Sequence, residues 1–301
     1  MELFVQQLTN GLAVGGIYAL IALGYTMVYG VLKLINFAHG DLFTIGAYLG
    51  LTLLTTLGLT NYLGPFGVVA VLALMVMGLV AIVGAALERV AYRPLRTSHR
   101  LSAVVSALGA SIFFQNAVML IYGARYKVYP HDILPRAAIH VFGLDIPVVR
   151  LLILATSILM MIALYLFIQR TKIGTAIRAA AIDQGAAKLM GINVDRVIMI
   201  VFLIGPALGG AAGLMVGLYY GQINFTMGWL YGLKAFTAAI LGGIGNIPGA
   251  MVGGLLLGVI EAMGAAYISI AWKDAIAFLV LIIILIVRPT GLLGERVAEK
   301  I

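Results

Sequence analysis

Long apolar runs recur along almost the whole of this 301-residue chain, and they limit what it can become. A bilayer offers no water to backbone N–H and C=O groups, so an apolar run of about 20 residues is stable there only as a helix. Gly11–Leu32, Phe66–Leu87, Leu101–Tyr122, Leu151–Ile168 and Val197–Tyr220 read as spans, and Ala275–Val287 as the last. Leu42–Leu57 is short for a full crossing, which predicts a broken or re-entrant helix. Trp229–Ile268 is too long for one crossing. It is interrupted at Gly242, Gly243, Gly245, Pro248 and Gly249, which predicts two shorter passes hinged there. The chain is 63% apolar and 10% charged, whereas soluble domains are about half apolar and a quarter charged. The expected fold class is an all-α polytopic membrane protein. It has about eight to ten transmembrane or half-spanning helices, and residues 1–301 form one membrane-spanning domain.

The few charges are placed where they orient the chain. Glu88–Arg100 carries Arg89, Arg93, Arg96 and Arg100, and such a loop belongs on the cytoplasmic side. By alternation Gly123–Pro147 lies outside, and its His131 and His140 lack metal-ligand spacing. The N-terminus is then cytoplasmic if Leu42–Leu57 does not cross, which is the arrangement expected. The net charge of +8 arises from these short loops and does not point to nucleic acid. The first run has no basic flank or small-residue cleavage site, so it is expected to stay as a span.

Residues 170–196 are more than a connector. Arg170, Lys172, Arg178, Lys188 and Arg196 stand against Asp183 and Asp195. Asp183 falls at the start and Lys188 at the end of a short helix near Ile182–Met190, each favoured by the helix dipole. Gly191 stands where helices commonly stop in a left-handed residue. Ile173, Ile177, Ala180, Ala181 and Leu189 recur at helical spacing and give an apolar stripe. A short helix pair with one apolar side, held just outside the bilayer, needs something to dock on. A basic loop that merely obeys topology is the plainer alternative.

The order Arg178-Ala179, Asp183, then Leu189-Met-Gly-Ile-Asn-Val-Asp-Arg-Val197 resembles the cytoplasmic coupling loop of permease subunits from branched-chain amino-acid ABC transporters. Ile35-Asn-Phe-Ala-His-Gly-Asp41, Glu88-Arg-Val-Ala-Tyr-Arg-Pro-Leu-Arg96, Leu241-Gly-Gly-Ile-Gly-Asn-Ile-Pro-Gly-Ala250 and Arg288-Pro-Thr-Gly-Leu-Leu-Gly294 are further signatures of that family. The family usually has an acidic pair where this chain has Ile182-Asp183. The resemblance implies a multi-pass protein of a bacterial inner membrane. It would be paired with a second homologous permease, two ATP-binding subunits and an external substrate-binding protein. It makes Arg178, Asp183, Lys188, Leu189, Gly191 and Asn193 the coupling residues, and it places ATP and magnesium on the partners, with no cofactor on this chain. Urea and short-chain amide permeases share much of this wording.

Asn36, Phe37 and His39, with Gln115 and Asn116 on the fourth run, are the candidates for a substrate path. Polar groups among apolar residues need partners and usually face a bundle interior. An interfacial turn with a helix-start acid at Asp41 is the alternative for the first three. No lysine of the seven follows a glycine, so the phosphate loop of an ATPase is missing. No serine sits in a nucleophile elbow. A membrane enzyme has no catalytic set here. A secondary transporter or channel has only Glu261 to serve as an intramembrane acid. Glu261 is equally suited to pair with Lys234 or Lys273. There is no cysteine.

Overall fold

The computed structural model describes residues 2–59, 62–96, 98–130, 138–141 and 144–294. His131, Asp132, Arg296 and Lys300 lie outside the described residues. Eleven α-helices account for most of it: α1 (Glu2–Leu32), α2 (His39–Leu57), α3 (Pro65–Leu87), α4 (Arg100–Tyr122), α5 (Val148–Arg170), α6 (Lys172–Ile182), α7 (Gln184–Leu189), α8 (Val194–Tyr220), α9 (Met227–Gly242), α10 (Ile247–Tyr267) and α11 (Lys273–Val287). Eight helical segments are long and apolar enough to span a membrane, the last including the short turn that leads into α11. The short strands are confined to loops. β1 (Lys127–Val128) pairs with β4 (Gln222–Ile223), and β2 (Ala138–Val141) with β3 (Leu144–Pro147).

The break in the long seventh run falls where glycine and proline predict. α9 stops at Gly242, and Asn246 caps α10 by accepting from the N–H of Gly249 at 2.9 Å. α1 is the hub. Of its most apolar window 94% is buried, against 6% for the last span. It crosses α10 through Gly11, Gly15, Gly254 and Gly258, where an added Cβ would strike the facing backbone. Small residues at such crossings let backbones close up, which is the main source of attraction between helices in lipid. α2 packs against α8 in the same way through Gly46, Gly210 and Gly213.

Two helices begin inside the bundle. His39, first residue of α2, packs against Gly24 of α1 and Gly209 of α8. Gly24 lies eight residues before the end of α1, so α2 starts roughly 12 Å in from that end. The first turn of α9 meets the first turn of α2, with Gly228 against the carbonyl of Gly40 and the hydroxyl of Thr44. The segment leading to α2 packs among protein, with Asn36 and Ala38 buried, and the segment leading to α9 borders an open cavity at Gln222 and Asn224; irregular backbone is tolerated at membrane depth in either setting.

The expected position of the N-terminus is corrected by the packing. The last turn of α1 lies beside α7, with Gln184 Nε2 donating to the carbonyl of Val31 at 2.7 Å. Asn10, near the other end of α1, accepts from the hydroxyl of Tyr219 at the far end of α8. α2 then runs back alongside α8 and ends far from the basic loops, where Thr52 meets Tyr122 at 2.7 Å. So α2 does traverse, and the N-terminus sits opposite the arginine loop. Hydropathy does not reveal this, because α2 begins inside the bundle and needs no full-length run.

With the arginine loop cytoplasmic by the positive-inside rule, single cysteines at Ser98 and Lys188 should react with an impermeant thiol reagent only from the cytoplasmic side. Cysteines at Gln6 and Tyr62 should react only from outside, and protection of Gln6→Cys in intact cells would restore the inward N-terminus. At the α2–α9 crossing, Gly228→Val should destabilise the purified protein by about 1–3 kcal/mol through overpacking. Thermal unfolding in detergent checks this, and an unchanged midpoint would refute the backbone contact.

Candidate functional site

The first candidate region is the break between α1 and α2. Lys33 adopts a left-handed φ of 55° and turns the chain. Asn36 organises the entry to α2. Its Oδ1 accepts from the N–H of Ala38 at 3.1 Å and from the hydroxyl of Tyr92 at 2.8 Å. Its carbonyl accepts from the N–H of His39 at 3.1 Å. His39 is wholly buried, neither ring nitrogen has a hydrogen-bond partner, and the ring meets Tyr25 edge-on at 4.8 Å. Ser111 of α4 donates to the buried carboxylate of Asp41.

The five path candidates are not brought together. Asn36 and His39 share the start of α2, with Phe37 half-buried beside them. Gln115 is half-buried on α4, and Asn116 is exposed, donating to the carbonyl of Ile112 in its own helix at 2.8 Å. The expectation that the polar residues of α4 face the bundle interior holds for Ser111 and fails for Asn116. Helical spacing places Ser111 and Gln115 on neighbouring rows, whereas Asn116 projects from another side.

The second region is the basic end. Thr171 caps α6 by accepting from the N–H of Gly174 at 3.0 Å. Asp183 proves to be the cap of α7 rather than a residue within it, accepting from Gly185 and Ala186 at 2.7 and 3.0 Å. Lys188 stands in its last turn, Gly191 has φ +82°, and Asn193 caps α8 by accepting from Arg196 at 3.0 Å. The expected apolar stripe divides. Ile177 and Ala180 turn inward and are buried, while Ile182, Leu189 and Met190 are 87%, 90% and 81% exposed. Arg178 donates to Gln169 along the same surface.

Two charge networks emerge only in three dimensions. Glu88 is completely buried and pairs with Arg96, which also pairs with Asp195 at the start of α8. Topology alone therefore does not account for the arginines of that loop. Glu88 opens a π-helical turn that runs to Tyr92; such turns frequently mark functional sites. Inside the bundle, Glu261 Oε1 accepts from Lys234 at 2.8 Å and from Lys273 at 3.0 Å. Both of the partners open to it in the sequence are thus engaged together. Lys234 also pairs with Asp274. Among the described residues no three His, Asp or Glu side chains gather as metal ligands.

Eight candidate spans among the described residues, helices that start within the bundle and a capped apolar surface at one end define a multi-pass membrane protein. Residues 7–285 match the family described as branched-chain amino acid transport system / permease component, and the chain belongs to that family. It is 47% identical over 305 residues to the high-affinity branched-chain amino acid transport system permease protein BraD of Pseudomonas aeruginosa, covering 99% of this chain and 98% of that one. It is 44% identical over 301 residues to the permease protein LivH of Escherichia coli K12, with the same coverage. The probable permease LivH of Methanocaldococcus jannaschii is 28% identical, over 95% of this chain and 91% of its own. No solved structure matches the chain.

The Asn36 side chain joins the entry of α2 to Tyr92, so Asn36→Ala should lower stability by about 1–3 kcal/mol by leaving buried partners unpaired. Tyr92→Phe removes only one of those bonds and should cost less. Thermal unfolding of the purified protein ranks the two, and an unchanged midpoint for Asn36→Ala would remove the bracing role.

Proposed function

We propose that this chain is one transmembrane half of an ATP-driven importer of branched-chain amino acids in a bacterial inner membrane. It pairs with a second homologous permease. Two ATP-binding subunits dock beneath and carry ATP and magnesium, an external binding protein delivers the substrate, and this chain performs no hydrolysis.

The observation that carries the reading is the surface of α6 and α7. Ile182, Leu189 and Met190 are large, apolar and almost fully exposed at the basic end of the bundle. Ile182 ends α6, and Leu189 and Met190 lie at the end of α7, which is capped at Asp183 and followed by the left-handed Gly191; large exposed apolar residues of this kind mark a protein interface. The patch is joined to the spans at both flanks. Gln184 holds the end of α1, and Asp195 holds Arg96 and, through it, Glu88 at the end of α3. A push on α7 is thereby passed to three spans, α1, α3 and α8. The two helices that begin inside the bundle, α2 and α9, meet at close backbone range through Gly40 and Gly228, and their crossing is the seam where such a rock would open a path. Asn36, Phe37 and His39 stand on one side of that seam. Asn116, exposed on α4, is assigned to the contact with the second permease, and Gln115 lies half-buried beside it.

The substrate is read from the relatives, whose names specify branched-chain amino acids. Uptake of labelled leucine by the reconstituted assembly, competed by urea, acetamide and neutral amino acids, tests it. Preference for urea or amides would move the chain to the other substrates its signatures are shared with.

Coupling is tested separately. A Cβ on Gly191 would meet nothing within 4 Å, so Gly191→Val acts only through the left-handed φ, at about 1–2 kcal/mol. It should leave insertion and assembly intact while separating ATP hydrolysis from uptake. Leu189→Asp should weaken docking of the ATP-binding subunits outright. Wild-type stimulation of hydrolysis by loaded binding protein in both variants would overturn the docking assignment.

A further inference from the structure

At the end of the bundle opposite the docking surface, α1, α8, α10 and the start of α11 line a half-open cavity of about 290 Å³. Small-molecule sites begin at about 300 Å³. Its walls are of two kinds. Val14, Ala262, Ala265, Ala266 and Ile270 make an apolar side. Gln7, Asn10, Tyr219, Glu261 and Lys273 add amides, a hydroxyl, a carboxylate and an ammonium group. Charges of both signs beside an aliphatic wall suit a small zwitterion, and they suit neither a simple anion nor a hydrocarbon.

The ion pairs leave the positive charge of Lys273 within reach of a guest and enclose the negative one. Lys234 and Glu261 are 4% and 1% exposed and hold each other at 2.8 Å. Lys273 is 31% exposed and reaches the same Oε1 at 3.0 Å. Lys273 can therefore swing to a guest carboxylate while Glu261 keeps Lys234 as its counter-ion. Glu261 Oε2 is buried and the hydroxyl of Tyr18 lies beside the carboxylate, so a guest meets Glu261 only on the side that Lys273 leaves. The departure of Lys273 leaves Oε1 one donor short, which is costly for a buried carboxylate, and a guest ammonium takes that place. The carbonyl oxygens of Gln7 and Asn10 already accept bonds nearby, from Asn10 at 3.3 Å and from Tyr219.

Resting on the reading of the chain as an amino-acid permease, we propose that this cavity is a binding site for an aliphatic amino acid at the outer mouth of the protein. The carboxylate pairs with Lys273, the ammonium with Glu261, and the side chain lies against Val14, Ala262 and Ile270. Binding is weak, because a permease that held its substrate tightly would not pass it on.

The absence of native cysteine makes the test direct. In the purified full assembly in lipid vesicles, Ala266→Cys on the cavity wall is alkylated, and the modified peptide of this chain is quantified. Leucine at ten times its dissociation constant leaves about one site in eleven free, so labelling should slow roughly tenfold. Leucinamide and 4-methylpentanoate, each lacking one charge, should not protect. Lys273→Met should abolish protection in protein that still assembles, and Lys273→Arg should keep it. No slowing by leucine, equal protection by the singly charged analogues, or full protection in Lys273→Met would overturn the site. If Ala266→Cys does not assemble, Ala265→Cys reports on the same wall. A phosphoethanolamine headgroup is also a zwitterion, so vesicles with and without phosphatidylethanolamine are compared; protection by the lipid and none by leucine refutes the amino-acid site. ATP-driven leucine uptake is measured in parallel. Uptake without protection removes the cavity site and keeps the importer, whereas protection without uptake keeps the site and removes the importer.

Discussion

Close backbone approach between helices is what the rest of this structure depends on. In a bilayer, an apolar side chain gains little by leaving lipid for protein, so attraction between spans must come from packing at short range. The glycines of α1 and α10 let the two axes close until backbone meets backbone. That crossing makes α1 the hub and leaves α11 and much of α4 facing outward. The same device lets α2 and α9 meet by their first turns. A side chain at Gly40 or Gly228 would push them apart and open the break to lipid, where its unpaired backbone could not survive.

Ionic groups are used sparingly within this frame, and each has a mechanical sense. Glu88, Arg96 and Asp195 join the ends of two spans next to the docking surface. Lys234, Glu261, Lys273 and Asp274 join α9, α10 and α11 toward the other end. A buried pair is poor evidence for added stability, since desolvation offsets much of its attraction. Removing one partner is another matter, because a charge is then stranded. Such networks therefore hold helices in register, and they make the helices move together.

The docking end shows how local chemistry and packing divide the work. Caps at Thr171, Asp183 and Asn193 and the left-handed Gly191 set where three helices start and stop. Each is a contact within a few residues, so each is legible in the order of the amino acids. Packing then sorted the stripe: Ile177 and Ala180 went to the core, while Leu189 stayed in solvent, and only neighbours distant in sequence could make that choice.

The amino-acid order by itself determined the membrane class, the spans, the break at Gly242–Gly249, the capped loop and the family wording, because all of these rest on local composition or on spacing along one helix. The tertiary structure alone decided three things. It placed the N-terminus opposite the basic loops, since α2 begins inside the bundle and still reaches the far side. It separated Asn116 from Asn36 and His39, since the direction of a side chain around α4 has meaning only once its neighbours are in place. It drew Glu261 to both lysines at once. Sequence offered either partner, and a short ionic bond between separate helices is settled by which helices pack together.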